Sequence, residues 1–389
     1  MINHLSQKHS VVVASLAHTE EELREGKPLN DCCEEVIAEV IPRSIRWARA
    51  FKSLATCASS SVAYFWSPRL YQRIHEKCLR TDFDAIFVHC GFMAQYVTDI
   101  EAGLRVMDFG DLDSAKWAEY SERKAFPSSQ LYAFEGRKLR AYERNIARSF
   151  DRCTVTTEGE RDEFATLRVP APCTVIPNGV DTSYFSPNGY TTDNATTIVF
   201  IGRMDYFPNI DGVCHFAEKI LPLVRDKVPN IEFRIIGSNP VRRVRELAKI
   251  AGISVTGHVP DVRCHVHDAA VAVAPLRIAR GTQNKILECM AMGIPVVATP
   301  QAAKGIQAVS GKHLLVAQQP ALFAKHIVEL LESKNLRRSL AAAARLQVQR
   351  MHVWPVSMRI LDEVLETSRP LDTCQRIPST RSGRWTKSV

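Results

Sequence analysis

Lys285 and Glu288 are the first residues whose types and spacing suggest chemistry, because they stand three positions apart in RGTQNKILECMAMG, residues 280–293. The apolar spacing predicts a helix with Thr282 as its N-cap. The free N–H groups of residues 282–284 and the helix dipole favour an anion at this end. The segment is therefore a candidate anion-binding helix.

The charged groups of this segment suit a nucleoside diphosphate. Lys285 lies in the first turn, where the dipole disfavours a cation unless an anion lies in front of it. Gly281 lets a ligand approach the backbone, and Glu288, near the same helix face, is an acceptor for a pair of vicinal hydroxyls such as those of ribose. The alternative is an i,i+3 surface ion pair worth about 0.3 kcal/mol.

A second cationic group follows another strand-like run. In FIGRMDYFPN, residues 200–209, Gly202 and Arg203 come directly after the first strand of the C-terminal half. An arginine at this place can bind phosphate oxygens with both arms of its guanidinium, and the alternative is a solvated arginine after a strand. Both signals fall on the same edge of one predicted sheet, so they support each other.

Three carboxylates follow a predicted strand in the N-terminal half, in MDFGDLDSAKW, residues 107–117. They are Asp108, Asp111 and Asp113. A carboxylate here could orient or deprotonate an acceptor hydroxyl. The alternative is that Asp113 caps the helix predicted for SAKWAEY.

Alternating strands and helices must position these residues. From Ile198 onward TIVFIG, IEFRIIGS, ISVTG, AVAVAP and PVVAT alternate with helical segments, which predicts right-handed crossovers and a parallel sheet. The N-terminal half shows a similar alternation of strands and helices, including a helix from about Tyr132 to Phe150. Its strand-like runs are SVVVASLA, DAIFVHC, GLRVMDF, RCTVTT and CTVIPNG. We predict an α/β protein with two doubly wound, Rossmann-like domains facing a cleft.

The predicted domains are residues 1–180 and 197–354, joined by a turn-rich linker at 181–196. A helix at about 355–368 is expected to pack back on the first domain. Residues 369–389 carry five Lys or Arg side chains and one Asp, half of the net charge of +8, and predict a disordered basic tail.

Composition excludes several classes of protein. The rest of the chain is only mildly basic and has no zinc-finger or RNA-binding signature, so we expect no nucleic-acid partner. The sequence contains no run of about 18 apolar residues, so we predict no membrane-spanning helix. The 11 cysteines lack paired metal spacing, which favours free thiols in a cytoplasmic protein.

Longer segments resemble a known family. Four segments resemble retaining glycosyltransferases of the GT-B architecture, the large family that includes bacterial polysaccharide transferases, sucrose synthases and glycogen synthases. These segments are VIPNGVDTSYFSP, IVFIGRMDYFPNIDGV, VTGHVPDV and VAPLRIARGTQNKILECMAMGIPVVAT. The resemblance covers about residues 80–365. MDFGDLDSAKW looks like the MDFxDxDSxKW pattern of the exopolysaccharide-associated (PEP-CTERM/EpsH type) sugar transferases.

This resemblance implies a nucleotide-diphosphate sugar as donor substrate, bound by the C-terminal domain, and a glycan or lipid-linked acceptor on the N-terminal one. It implies transfer with retention, without a cofactor or a metal. Arg203 and Lys285 would neutralise the diphosphate, the amides of Gly281 and Thr282 would contact it, and Glu288 would hold the ribose. His89 stands where family members carry a cleft histidine, and a core or loop-end histidine is the alternative.

The chain departs from the family pattern at three places. The acidic residue expected eight positions before Glu288 is Arg280, and the lysine expected after Arg203 is Asn209, which leaves Lys285 as its substitute. The family begins with a strand and a glycine-rich loop, whereas a helix-like NHLSQKH precedes the first strand here. We therefore expect an N-terminal domain without these two elements, and keep a catalytically impaired nucleotide-sugar binder and a GT-B epimerase as alternatives.

The segment IPRSIRWARAFKSL, residues 41–54, combines cations and aromatic rings. A basic helix with aromatic residues can lie on an anionic bilayer, where lipid-linked acceptors reside. This predicts a peripheral contact with the inner face of the membrane, and a solvated helix face is the alternative.

Overall fold

A computed structural model describes residues 1–54, 56, 58–187 and 196–366. The predicted linker lies partly outside these residues, and the predicted tail at 369–389 lies outside them entirely.

The strands are, in chain order, β1 (Val12–Ala17), β2 (Glu35–Val40), β3 (Ala85–His89), β4 (Leu104–Gly110), β5 (Arg152–Val155), β6 (Cys173–Val175), β7 (Thr197–Ile201), β8 (Glu232–Ile236), β9 (Ile253–Val255), β10 (Ala269–Ala274), β11 (Val296–Ala298) and β12 (Leu315–Val316). The helices of the first half are α1 (Ile2–Leu5), α2 (Glu20–Glu25), α3 (Arg43–Ser53), α4 (Ser60–Tyr64), α5 (Pro68–Cys78), α6 (Asp113–Arg123), α7 (Ser128–Ser149) and α8 (Glu158–Ala165). Those of the second half are α9 (Phe207–His215), α10 (Leu221–Arg225), α11 (Arg242–Leu247), α12 (Asn284–Ala291), α13 (Pro300–Ala303), α14 (Pro320–Glu332), α15 (Lys334–Met351) and α16 (Trp354–Glu366).

The C-terminal sheet is parallel throughout, in the order β12-β11-β10-β7-β8-β9. This is the doubly wound order with its switch point between β7 and β10, where a ligand crevice is expected. β7 is buried along its whole length. The small side chains of β10, AAVAVA, let helices pack closely over the centre of the sheet. The α/β prediction for this half is confirmed.

The N-terminal strands form two parallel sheets, β1-β2 and β3-β4-β5-β6. Among the described residues β1 pairs only with β2, and β3 pairs only with β4 on one edge. Their side chains are accordingly more exposed than those of β4, although β1 to β5 contribute to a shared apolar core. A parallel strand is normally covered on both faces, so the exposure of β1 and β3 is unusual for strands of a parallel sheet.

The last helix crosses to the first domain. Met358 and Leu361 of α16 pack with Leu104 and Val106 of β4 in a separate apolar cluster. The Ser357 hydroxyl donates to the carbonyl of Pro177 at 2.5 Å. Helix α16 therefore packs the end of the described chain against the sheet of the N-terminal half.

Candidate functional site

The helix that carries Lys285 begins later than the sequence predicts. Its N-cap is Gln283, without a side-chain capping bond, so the prediction of Thr282 as N-cap is wrong. The Thr282 hydroxyl is instead 3.5 Å from the carbonyl oxygen of Gly305. Gly281 has φ +62°, a left-handed conformation that suits glycine. Since no side chain caps this end, the first-turn N–H groups of α12 are available to an external anion.

The Lys285 ammonium lies inside the site and faces Asn209. Its Nζ donates to Asn209 Oδ1 at 2.5 Å and lies 4.4 Å from the centroid of the Phe200 ring. Burial lowers the pKa of Lys285 to about 7. Asn209 Nδ2 in turn donates to the backbone carbonyl of Arg203 at 2.9 Å. Asn209, which stands where the family pattern has a lysine, is thus a polar partner of Lys285.

Gly202 makes this close approach possible. A Cβ atom at this position would lie 2.7 Å from Asn209 Nδ2 and 3.0 Å from Lys285 Nζ. Because β7 and β10 are neighbours, the loops that follow them bring Gly202 and Lys285 to the same edge of the sheet. A larger residue at 202 would clash first with the Asn209 amide and would crowd the Lys285 ammonium.

One cavity of about 490 Å³ opens at this edge. It is lined by Ile201, Gly202, Arg203, Asp205, Tyr206, Asn209, Thr282, Gln283, Asn284, Lys285 and Glu288. The Arg203 guanidinium is 71% exposed and donates to Asp205 at 2.9 Å. Burial raises the pKa of Glu288, and the charge of Lys285 opposes that rise. Gly281 lies instead in a second cavity, between the domains.

The low pKa of Lys285 predicts that ligand binding takes up a proton. A bound diphosphate stabilises the ammonium and raises its pKa. The affinity for a nucleoside diphosphate should therefore fall as pH rises above 7, by about tenfold per unit at most for one linked proton. Calorimetry of UDP binding at pH 8 in buffers of different ionisation enthalpy measures this uptake. The uptake should disappear in Lys285→Met, and an unchanged proton count in that variant would contradict the assignment.

His89 and Asp108 form a pair at the ends of β3 and β4. His89 Nδ1 lies 2.7 Å from Asp108 Oδ2, and the His89 side chain is 64% exposed. The bond to Asp108 raises the pKa of His89 to about 10. Thr154 Oγ1 and the N–H of Gly110 donate to Asp108 Oδ1 at 2.8 and 3.2 Å. His89 is thus paired with Asp108 at the end of β3, and Asp108 is occupied as its acceptor.

Asp111 and Asp113 take different positions. Asp111 Oδ1 accepts from Thr156 Oγ1 at 2.8 Å, and a Cβ on Gly281 would clash with its carboxylate. Asp113 is the first residue of α6, makes no side-chain capping bond, and lies 3.7 Å from Lys116 Nζ. Burial raises the pKa of Asp113. Capping by Asp113 is therefore not what the structure shows.

Two buried glutamates that the sequence analysis missed hold this end of α6. Glu143 of α7 accepts from the backbone N–H of Ser114 at 3.0 Å, and Glu160 of α8 accepts from that of Leu112 at 2.9 Å. Burial raises the pKa of Glu143 to about 7. A glutamate inside an amphipathic helix resembles any surface residue in sequence, so only the fold reveals these caps.

Arg280 joins the two domains. Its guanidinium donates to Glu119 of α6 at 2.8 Å and to Glu160 of α8 at 2.9 Å. The second cavity, of about 230 Å³, surrounds this cluster. Position 280, where the resemblance implied an acidic contact to the sugar, thus carries a cation that faces two carboxylates.

Family models match both halves of the chain. Residues 195–333 match the model described as glycosyl transferases group 1, and residues 123–184 match glycosyltransferase family 4. The first match contains β7, β10, α12 and the 490 Å³ cavity. The cavity therefore lies within the segment that is similar to glycosyl transferases group 1.

Solved structures show the same fold over most of this glycosyltransferase-like chain. Sucrose-phosphate synthase from Thermosynechococcus elongatus has a TM-score of 0.65 and 16% identity, with 86% of this chain and 83% of that one covered. Anabaena Alr3699/HepE in complex with UDP and glucose has a TM-score of 0.64 and 13% identity, with 94% of each chain covered. The chain therefore has the GT-B fold.

A curated relative provides a weaker link to cell-surface polysaccharide. An uncharacterized 44.6 kDa protein in the cps region of Klebsiella pneumoniae is 24% identical over 228 residues. That match spans 56% of this chain and 56% of the relative. The chain thus matches little more than half the length of this relative.

Proposed function

We propose that this protein is a glycosyltransferase that moves a sugar from a nucleoside-diphosphate donor to a glycan or lipid-linked acceptor of exopolysaccharide or cell-envelope biosynthesis. The observation that carries the proposal is the meeting of the Lys285 ammonium, the uncapped N-terminus of α12 and the Glu288 carboxylate in one cavity. UDP and glucose in the HepE structure support a nucleotide-sugar donor. The cps-region relative supports the polysaccharide context.

The charges of the site suit the transition state of this reaction. When the bond from the anomeric carbon to the diphosphate oxygen breaks, negative charge develops on the diphosphate and positive charge on the sugar. Lys285, the α12 N–H groups and Arg203 stabilise the departing diphosphate more strongly than the bound donor. These fixed side-chain and backbone charges serve in place of a metal.

The acceptor approaches from the N-terminal domain. Its hydroxyl oxygen bonds to the anomeric carbon on the face from which the diphosphate departs, so the configuration is retained, and the hydroxyl proton leaves with the diphosphate. Asp111 is the acidic-loop carboxylate that packs against Gly281 of the donor loop. In this proposal His89, which is held by Asp108 at the end of β3, supplies a cation from the same domain as Asp111.

A donor panel tests this function. UDP-, GDP- and ADP-sugars are incubated with the full chain and a library of lipid-linked oligosaccharides, and the product linkage is determined by NMR. Retention gives a product with the anomeric configuration of the donor, with or without a chelator present. An inverted product excludes the proposed stereochemistry, a free epimerised sugar identifies an epimerase, and binding without turnover identifies a nucleotide-sugar binder.

We also propose a peripheral membrane contact, although α3 supplies fewer cations than its sequence suggests. Arg46 is buried and donates to the carbonyl of Ile41 at 2.9 Å, and Arg49 donates to the carbonyl of Trp66. Trp47 and Phe51 are 58% and 77% exposed. The outer face of α3 is therefore mainly aromatic, with cations at its margins.

Helix α7 extends this surface. Lys138 Nζ donates to the carbonyl of Ser53 at 3.2 Å and lies 4.4 Å from the ring centroid of the exposed Phe134. No acidic residue occurs between positions 40 and 75. Exposed aromatic rings among cations suit the headgroup region of an anionic bilayer. None of the described helices is both long and apolar enough to cross a bilayer.

Binding to anionic vesicles should depend on the two aromatic residues of α3. We expect Trp47→Ser with Phe51→Ser to lower the partition coefficient onto phosphatidylglycerol-containing vesicles about tenfold or more, since two large apolar groups leave the interface. Co-sedimentation measures the partition. The matched control is Leu79→Ser, which removes an apolar side chain that is 87% exposed at the end of α5. Equal losses in the control and the double variant would refute this surface.

A further inference from the structure

The contact between the domains lies directly beside the candidate donor site. Arg280 immediately precedes Gly281 in the loop that leads into α12, and its side chain is only 15% exposed. Both of its carboxylate partners, Glu119 and Glu160, belong to the other domain. The same loop therefore lines the donor cavity and joins the two halves of the protein.

Glu160 connects this ion pair to the acidic loop of the N-terminal domain. Its Oε1 accepts from Arg280, while its Oε2 accepts from the backbone N–H of Leu112. The preceding residue, Asp111, packs against the Cα of Gly281. One carboxylate thus fixes the loop that carries Asp111 relative to the loop that carries the donor-facing amides.

The glycines of this contact leave no room for adjustment. A Cβ on Gly305 would clash with the carbonyl of Gly281 and lie 3.1 Å from Cγ2 of Thr157. Thr157 is the N-cap of α8, the helix that carries Glu160. The backbone beside Arg280 is therefore packed closely against the start of α8.

We propose that Arg280 is a positioning residue that latches the donor loop to the N-terminal domain, rather than a contact to the donor sugar. Its guanidinium neutralises two carboxylates that are otherwise close to each other, and one of them, Glu160, is only 4% exposed. Removing the cation leaves the buried Glu160 carboxylate without a cationic partner, which is unfavourable for the closed contact although the Leu112 N–H still donates to it. The latch stands on geometry alone, and only its consequence for turnover rests on the proposed function.

The latch also explains the charge at this position. An acidic residue at 280 would place a third carboxylate against Glu119 and Glu160, and like charges at this range repel. The domains of such a variant should separate at this contact. A cation at 280 is thus matched to the carboxylates that α6 and α8 present.

Hydrogen exchange in the ligand-free full chain tests the latch without assuming any activity. In Arg280→Met we expect faster exchange at the Leu112 amide, which donates to Glu160, with unchanged exchange in β8. The matched control is Arg277→Met on the same loop, because Arg277 pairs with Asp211 of its own domain. Unchanged exchange in Arg280→Met, or equally fast exchange in the control, overturns the latch. Faster exchange in β8 as well would mean global loosening and also overturns it.

Two further variants keep the test decisive if Arg280→Met does not fold. Arg280→Lys keeps the charge but loses the two-armed geometry, so partial protection is expected. Arg280→Glu should be worse than Arg280→Met, and adding Glu119→Arg should restore part of the protection. Absence of that rescue, with both proteins folded, contradicts the assignment of the pair.

Ligand measurements then separate positioning from donor contact. We expect Arg280→Met to bind UDP within about twofold of wild type but to lower kcat by about tenfold or more, because only steps that need both domains are affected. An equal loss of UDP affinity would overturn the positioning role. If wild type neither binds UDP, GDP or ADP nor turns over a donor, the proposed function fails, while the exchange result still decides the latch.

Discussion

Replacing Lys285 by methionine should lower kcat/KM for the nucleotide-sugar donor by about 10²–10³-fold, the usual cost of losing one fixed charge or donor at a developing anion. Lys285 is the cation most deeply placed in the cavity, and Gly202 and Asn209 are arranged around its ammonium. Methionine retains the length of the apolar stem over Phe200 while removing the charge. We therefore expect the variant to fold normally and to lose most of its turnover.

The control for this prediction is Lys249→Met, which removes an exposed lysine from the same domain. Steady-state kinetics with the best donor of the panel, together with thermal unfolding, check both variants. Wild-type turnover in Lys285→Met would show that this ammonium does not contact the diphosphate. An unfolded variant would be replaced by Lys285→Gln, which retains a polar group toward Asn209.

The strands of the fold were largely predictable from short-range patterns. Runs such as TIVFIG and AVAVAP are continuously apolar because both faces of a parallel sheet are buried, and they became β7 and β10. β2 was missed because Glu35 and Glu39 interrupt its apolar pattern. Glu39 is nevertheless buried and binds Arg73 of α5 at 2.9 Å, a tertiary contact that no local pattern contains.

The meeting of Arg203 and Lys285 in one cavity was predictable for the same reason that the sheet was. Residues that follow parallel strands meet at one edge, so Arg203 and Lys285 could be placed together from the chain order alone. The start of α12 could not, because Thr282 is a good N-cap in isolation and its hydroxyl is instead directed at Gly305. A backbone carbonyl from a distant loop decided this detail.

The contact between the domains was beyond sequence reasoning. Arg280 was noticed only as a departure from a family pattern, and its partners lie 161 and 120 positions away. Likewise the sequence predicted that Arg46 and Arg49 belong to a basic surface, yet both donate to backbone carbonyls within the domain. The charge of a residue is visible in sequence, but the direction of a long side chain is set by the acceptors that the fold presents.

Replacing Glu288 by glutamine should remove the preference of the site for a ribose with both hydroxyls. A carboxylate accepts from two hydroxyls at once, whereas an amide offers one oxygen, and hydrogen bonds to charged groups contribute about 1.5–3 kcal/mol. We expect UDP affinity to fall about 10- to 100-fold, which corresponds to that range. Calorimetry with UDP and 2′-deoxy-UDP measures both effects.

The comparison of the two nucleotides is the decisive part. Wild type should bind UDP more tightly than its deoxy analogue, while Glu288→Gln should bind the two nearly equally, because the group that distinguishes them is lost. Glu246→Gln, which alters an exposed glutamate paired with Arg242, is the matched control and should keep the full preference. If Glu288→Gln retained that preference, the ribose would be bound elsewhere. Glu288 would then matter mainly through its charge beside Lys285, so the pKa of Lys285 should fall in the variant, since the nearby carboxylate raises it.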